Sequence, residues 1–156
     1  MMKKLIACGA GLLMAGAASL AVAQVSAEDQ IKFRKAGYSY MAWNMGKLKA
    51  QVIDGSVAYD QKQVEAAANT IAAIANSGMG ALYGAGTDKS VGEQQTRVKP
   101  EFFSKPEEVA KVAIAFNQAA NELAKVAAEG DKAAIAKAFG EVGKSCKGCH
   151  DQFRMD

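Results

Sequence analysis

The sequence KSCKGCHDQFR, residues 144–154, contains two of the three cysteines of this chain and its only histidine. Cys146, Cys149 and His150 stand at positions i, i+3 and i+4, which share one face of an α-helix. Apolar residues recur at helical spacing through the same region, which predicts a helix. Its apolar stripe consists of Ile135, Phe139, Val142, Cys146, Cys149 and Phe153. The end of the chain therefore places two thiols and one imidazole together.

The pattern Cys-x-x-Cys-His is the attachment signal of c-type haem. Two thiols on one helical face can bond to the two vinyl groups of the porphyrin while the neighbouring imidazole binds iron. The alternative is a disulfide or a redox pair, but a thioredoxin-like pair is typical of a βαβ unit and requires no histidine. A zinc site would require a fourth ligand. We therefore predict one haem c, bound covalently through Cys146 and Cys149, with His150 as the axial iron ligand.

Residues 1–23 are predicted to be a cleaved signal peptide. The chain begins with MMKK, continues with an apolar run rich in Gly and Ala, and reaches AVA directly before Gln24. These features are typical of a secretory leader, although the apolar run is also nearly long enough for an uncleaved membrane anchor. We predict cleavage near Ala23, with a cut after Ala27 as a second option. The mature domain is then residues 24–156, without Cys8, exported to the periplasm and not attached to the membrane.

The charge of the mature chain argues against a nucleic-acid partner. The whole sequence has 19 basic and 16 acidic residues, and removal of Lys3 and Lys4 leaves 17 against 16, a net charge of +1. A nucleic-acid-binding surface usually carries a clear excess of positive charge. We therefore predict no binding of nucleic acid.

Four helical segments are predicted from the 3.6-residue recurrence of apolar side chains. They run from about Glu28 to Ile53, from Asp60 to Asn76, from Ser104 to Gly130, and from Asp131 almost to the chain end. Asp60 is a candidate N-cap, and Ser104 with Glu107 forms a candidate capping box. Residues 77–103 are predicted to be a long loop that joins two helical pairs. This pattern predicts an all-α fold, an antiparallel up-down-up-down four-helix bundle with haem near its C-terminus.

The position of the motif limits how the second face of the iron can be ligated. Only residues 151–156 follow His150, and Met155 on the same helix cannot reach the opposite face of the haem. Any sixth ligand must therefore come from another helix. Methionine is a common partner of histidine on haem iron, and Met41 and Met45 lie in the first segment. If either of them binds iron, the protein is a low-spin, six-coordinate electron carrier.

Three segments resemble the cytochrome c′ family, and the likeness extends over the mature chain. KFRKAGYSYMAWNMGKLK (32–49) is similar to the family's first helix, and FGEVGKSCKGCHDQFR (139–154) to its C-terminal haem segment. IANSGMGALYGAGTDKSVGEQQTRVKPEFF (74–103) resembles its long crossover, especially as found in purple sulfur bacteria. The resemblance implies a five-coordinate, high-spin iron and an apolar distal face selective for small neutral gases, nitric oxide and carbon monoxide. It also implies a homodimer built on the first helices.

The same resemblance assigns roles to individual residues. It places Arg34 at a haem propionate, Tyr38 over the distal face, and Arg154 beside the proximal histidine. Alternatively, Arg34 and Arg154 are solvated and Tyr38 is a core residue. Met41 follows Tyr38 on the same helical face and is a candidate haem contact. Three further residues are predicted to line the haem pocket, although core packing would also explain them: Met79, Tyr83 and Phe139.

The sequence thus predicts a periplasmic haem protein that binds, buffers or transports nitric oxide. One-electron transfer with an unknown redox partner is a linked role. No nucleophile–base pair is readable, so no enzymatic activity is predicted. The alternatives are the low-spin electron carrier and a haem-free bundle with a disulfide between Cys146 and Cys149.

Overall fold

The architecture is all-α and is built from four long helices. The computed structural model describes residues 25–156, so the predicted signal peptide, residues 1–23, and Cys8 lie outside the described residues. A π-helical turn, Lys49–Ile53, continues the first helix, and a 3-10 turn, Met79–Leu82, follows the second. The helices are α1 (Ala27–Leu48), α2 (Gln61–Ala75), the short α3 (Glu101–Ser104), α4 (Pro106–Glu129) and α5 (Lys132–Phe153). The predicted four-helix bundle is confirmed.

Short polar side chains determine where three of the helices begin. The Ser26 hydroxyl accepts a hydrogen bond from the Asp29 amide at 3.1 Å, and the carboxylates of Asp60 and Asp131 accept bonds from the first turns of α2 and α5. Each bond satisfies an amide that has no partner inside its own helix. The bond from the Gln63 amide also lowers the pKa of Asp60, because it stabilises the carboxylate. The predicted N-cap at Asp60 is confirmed.

The predicted capping box at Ser104 and Glu107 is wrong. Ser104 is the last residue of α3, and its hydroxyl donates to the Glu101 carbonyl at 3.3 Å. The long helix α4 begins instead at Pro106, with Lys105 as an N-cap that makes no side-chain capping bond. A residue before proline is disfavoured in the α region, and Lys105 has φ −124° and ψ 60°. The helix therefore cannot run through Lys105, and Pro106 takes the first helical position that suits it.

Two other boundaries differ from the sequence prediction in detail. The first segment ends near Ile53 as predicted, but its last five residues form the π-helical turn, which apolar periodicity does not distinguish from an α-helix. Residues 77–103 are not entirely loop, because they contain the 3-10 turn and most of α3. This connection, residues 76–105, is called the crossover below.

The helices pack as two sequence-adjacent pairs that meet through α2 and α4. α1 packs on α2, α4 packs on α5, and α2 packs on α4. Each fully buried aliphatic side chain stabilises the fold by about 1.5–3 kcal/mol. The largest of these are Ile31, Leu48, Val64, Ile71, Leu123, Ile135 and Val142. No helix within residues 25–156 has both the length and the apolarity needed to cross a bilayer.

One end of the bundle, which contains the α1–α2 and α4–α5 connections, is tightly closed and is called the closed end. The Gln61 side-chain amide donates to the Ala127 carbonyl at 2.5 Å, and the Tyr59 hydroxyl donates to the Gly130 carbonyl at 3.3 Å. Gly130 ends α4 with φ +82°, a left-handed conformation that glycine adopts without strain. These bonds fasten the two helical pairs to each other.

The opposite end contains the start of α1, the end of α5 and the crossover, and is called the open end. α5 contacts the π-helical turn at the closed end but makes few contacts with α1 itself. The two helices therefore separate toward the open end. The region between the α1 face that carries Tyr38 and the part of α5 that carries Cys146 and Cys149 is called the slot below, and Tyr38 lies near enough to both cysteines for them to raise its pKa.

Candidate haem site

The two thiols predicted to bind haem lie on α5 beside the slot. Cys146 and Cys149 are both free and half-buried, and Cys146 packs against the hydrophobic core. Burial raises the pKa of both thiols, since the thiolate loses its hydration. Both sulfurs also lie near enough to raise the pKa of Tyr38 across the slot. The structure therefore brings the cysteines and the predicted distal tyrosine to one place.

His150 follows the second cysteine and is exposed at the end of α5. The Arg154 guanidinium lies 3.4 Å from its Nδ1 atom, one helical turn away. A guanidinium has no acceptor, so this bond exists only when Nδ1 carries no proton. The structure thus places Arg154 beside the predicted proximal ligand.

The last residues of α5 are held by the crossover. The Lys99 amide donates to the Phe153 carbonyl at 2.9 Å, and the Met155 amide donates to the Arg97 carbonyl at 2.7 Å. Val98 and Arg154 thereby form an isolated antiparallel bridge. This pairing fixes the helix end that carries His150, so the imidazole is not on a free tail.

Arg34 on α1 is almost completely buried, with 2% of its surface exposed. Its Nη1 atom donates to the Leu82 carbonyl at 3.1 Å and to the Thr87 hydroxyl at 2.8 Å. Its Nη2 atom donates to the Thr87 carbonyl at 2.7 Å and to the Thr96 hydroxyl at 2.6 Å. Burial lowers the pKa of Arg34, because the cation loses its hydration, although arginine stays protonated in proteins.

These contacts make Arg34 the anchor of the crossover. Four of its five N–H groups bond to neutral oxygen atoms, and within residues 25–156 it forms no salt bridge. Only the Nε–H group remains for an external acceptor. Its predicted contact with a haem propionate stays a prediction, but a buried cation with neutral partners is a favourable place for an anion.

Tyr38 and Tyr83 meet at the mouth of the slot. The Tyr83 hydroxyl donates to the Tyr38 hydroxyl at 3.1 Å. Burial is the main cause that raises the pKa of both phenols, so both are neutral at physiological pH.

The other predicted pocket residues lie at different depths. Met41 is 6% exposed and belongs to the hydrophobic core, whereas Met45 and Phe139 are half-buried against it. Met79 packs on the backbone of α1 so closely that a β-carbon at Gly37 would lie 3.0 Å from its terminal methyl. Of these four, Met79 is the one that seats the crossover directly beside Tyr38.

Several residues at this end were not singled out from the sequence. Phe102 stacks on Tyr83 with ring centroids 4.3 Å apart and meets Phe153 edge-on at 5.6 Å. Thr87 is fully buried under Arg34. Phe102 could have been suspected, since a large apolar residue in a long loop indicates a covered surface. The threonine gives no such signal, because it is an ordinary polar residue in an irregular segment.

The open end fits a flat, apolar, dianionic group such as haem. The slot separates α1 from α5, two free thiols border it, and Arg34 offers a buried positive charge beside it. Among residues 25–156, no group of three or more His, Cys, Asp or Glu converges to hold a bare metal ion. Two thiols that can form thioethers, one imidazole and a buried cation are together the side chains that a covalently attached haem requires.

Comparisons with known proteins identify relatives of this chain. A family model described as Cytochrome C′ matches residues 29–154. The cytochrome c′ of Allochromatium vinosum is 58% identical over 151 residues, which cover 96% of each chain. A solved cytochrome c′, described as having an unusual ligand-controlled dimer dissociation, is 58% identical, with a TM-score of 0.81 over 85% of this chain and 98% of that one. The nitric oxide complex of a variant cytochrome c prime from Alcaligenes xylosoxidans is 30% identical, with a TM-score of 0.73 over 85% of this chain and 98% of that one.

Proposed function

Because the chain belongs to the cytochrome c′ family and carries haem c through Cys146 and Cys149, we propose that it binds small neutral gases at an iron whose only protein ligand is His150. Nitric oxide and carbon monoxide are the proposed ligands. The physiological role is nitric oxide buffering or transport, with one-electron transfer to an unknown partner as a linked role. Haem iron supplies both the site for the gas and the redox couple.

The observation that carries this proposal is the chemistry of the residues across the slot from the cysteines. Tyr38 and Tyr83 are neutral phenols whose raised pKa values disfavour the phenolate that could bind iron. Met41 is buried in the core. A covering side chain that binds iron poorly leaves the distal position to an added ligand. The nitric oxide complex of the Alcaligenes xylosoxidans relative supports the choice of gas.

Four residues have proposed roles around the haem. Cys146 and Cys149 hold the ring, and Arg34 bonds a propionate through its free Nε–H group. Arg154 acts on the proximal side: if iron binds Nε2, the neutral imidazole carries its proton on Nδ1, and the guanidinium beside it cannot accept that proton. A histidine ligand usually donates this proton to an oxygen atom, which makes the imidazole more basic. His150 instead has the positively charged guanidinium of Arg154 beside it. The imidazole is therefore a weaker electron donor to iron.

We also propose export and dimerisation. The solved relative aligns with 85% of this chain, and the chain begins with MMKK, an apolar run and AVA directly before Gln24, which are the features of a secretory leader. On α1, Tyr40 and Trp43 are 52% and 56% exposed and stack on each other. Exposed aromatic residues are enriched in protein interfaces, and the same relative forms a dimer that its ligand dissociates. The mature protein is thus a periplasmic homodimer through α1.

An absorption spectrum of the reduced holoprotein, with and without carbon monoxide or nitric oxide, tests the proposed function. A high-spin spectrum that changes on addition of either gas is expected. A sharp low-spin spectrum that neither gas alters would instead support the methionine-ligated electron carrier, and Met41→Leu and Met45→Leu would identify the ligand. The dimer is tested by sedimentation of Trp43→Ala, which should weaken association at least tenfold if Trp43 is central to the interface. Ile114→Ala, an exposed position on α4, is the control.

A further inference from the structure

Tyr83 is held rigidly at the mouth of the slot. It caps the 3-10 turn, with its amide bonded to the Gly80 carbonyl at 3.1 Å. One face of its ring stacks on Phe102, and the Arg34 guanidinium lies 4.5 Å from the ring centroid. Arg34 is in turn fixed by its four hydrogen bonds to the crossover. The Tyr83 ring therefore has a defined position relative to α1.

Tyr38 is much less constrained. Tyr83 is the one hydrogen-bond partner of its hydroxyl among residues 25–156. Arg34 and Tyr38 are one turn apart on α1, so the same helix contacts Tyr83 twice, once through a cation and once through a hydroxyl. Met79 packs on Gly37, next to Tyr38 in the sequence. This contact holds the 3-10 turn that precedes Tyr83 against α1. The hydrogen bond to the fixed Tyr83 hydroxyl thus stabilises one rotamer of Tyr38, whose side chain could otherwise rotate.

We propose that the Tyr83 hydroxyl holds Tyr38 over the iron and that their hydrogen bond must break before a gas can bind. Tyr83 is therefore a positioning residue that acts on ligand entry through Tyr38 and does not itself touch iron. This inference rests on the proposed function, because it requires a haem with Tyr38 on its distal side. It assigns to the crossover a part in setting gas affinity, in addition to its part in holding the end of α5.

The first test is carbon monoxide binding to the reduced holoprotein of Tyr83→Phe, which keeps the ring and removes the hydroxyl. Loss of one neutral hydrogen bond should raise the affinity, and the association rate after flash photolysis, about two- to tenfold. Tyr38→Phe should show an increase of at least this size. Tyr59→Phe removes a hydroxyl at the closed end, far from the slot, and should leave carbon monoxide binding unchanged.

The double variant Tyr38→Phe/Tyr83→Phe separates positioning from a general loosening of the fold. If Tyr83 acts through the Tyr38 hydroxyl, the double variant binds carbon monoxide like Tyr38→Phe, because the second hydroxyl has no partner left to position. If the two effects multiply, Tyr83 acts independently and the proposal is overturned. An unchanged affinity in Tyr83→Phe also overturns it.

A second readout does not depend on affinity. The tyrosine doublet in the ultraviolet resonance Raman spectrum reports hydrogen bonding of the hydroxyl groups. On addition of carbon monoxide, the doublet of the unaltered protein should change in the direction of the ligand-free Tyr83→Phe spectrum, and Tyr83→Phe itself should show no such change. An identical change in both proteins would overturn the proposal. If carbon monoxide leaves the haem spectrum of the unaltered protein untouched, the proposed function fails instead.

Discussion

The two ends of this bundle are built from the same four long helices but are filled differently. At the closed end, Leu48, Leu123 and Ile135 are completely buried, and side chains of Tyr59 and Gln61 bond the helical pairs together. At the open end, Cys146 and Cys149 are only partly buried, and α1 separates from α5. Protein contacts alone therefore stabilise the closed end, whereas the open end is where the proposed haem would pack.

Removal of both thiols should have the largest effect and tests whether the open end depends on the covalent cofactor. Cys146→Ala/Cys149→Ala is expected to lose all covalently bound haem, since each thioether requires its sulfur. Haem staining of the protein after denaturing electrophoresis measures this. Cys8→Ala is the matched control, because the signal-peptide prediction removes Cys8 from the mature protein. Haem retained by the double variant would break the comparison between the two ends.

Leu123→Ala should be the next largest change, and its effect should remain within the closed end. Truncation of a fully buried leucine leaves a cavity and should lower the free energy of unfolding by about 2–5 kcal/mol. The carbon monoxide spectrum and affinity should not change. Denaturant unfolding followed by circular dichroism measures the loss. The control is Ile114→Ala at an exposed position, which should change the free energy of unfolding by no more than about 0.5 kcal/mol. An altered gas affinity would mean that the two ends are coupled.

Arg34→Met tests the anchor of the open end. It keeps an extended side chain but removes four hydrogen bonds. The free energy of unfolding of the holoprotein should fall by more than about 1.5–3 kcal/mol, which is the range for a single bond to a charged group. Because Arg34 also lies on the Tyr83 ring, carbon monoxide affinity should rise in the same variant. Lys35→Met, on the exposed neighbour, is the control. If Arg34→Met lowers the free energy of unfolding but leaves the carbon monoxide affinity unchanged, Arg34 anchors the crossover without influencing the ligand site.

The smallest effect is expected from acid at the start of α2. The folded pKa of Asp60 lies below its usual value of 3.8, chiefly because of the bond from the Gln63 amide. A lowered folded pKa means that the cap stabilises the protein above the unfolded pKa and loses this contribution as the pH falls through the folded pKa. Asp60→Asn should therefore flatten the pH dependence of unfolding in this acidic range. Unchanged pH dependence in urea unfolding would show that the cap contributes little.

Local patterns in the sequence predicted the parts of this structure that local rules control. The Cys-x-x-Cys-His spacing predicted Cys146, Cys149 and His150 as the haem-attachment residues, and all three lie on α5. Apolar periodicity predicted the four long helices. A local rule also explains the error at Ser104, since Pro106 two residues later prevents the predicted cap.

The partners of Arg34 could not be predicted in the same way. Thr87 and Thr96 lie 53 and 62 residues away in an irregular segment, where no periodicity constrains which side chain meets which. The hydrogen bond between Tyr38 and Tyr83, 45 residues apart, depends on the same folding of the crossover. Residues of a candidate site were therefore recognisable from the sequence, but their mutual contacts required the structure.

The bridge between the crossover and the chain end has a practical consequence for making the protein. The Met155 amide donates to the Arg97 carbonyl, so residues added after Asp156 start at the edge of this pairing. A C-terminal hexahistidine tag would pull on the segment that holds His150 and would bring additional imidazoles beside the haem. Purification tags therefore belong at the other end of the described domain, where α1 begins with its own Ser26 cap.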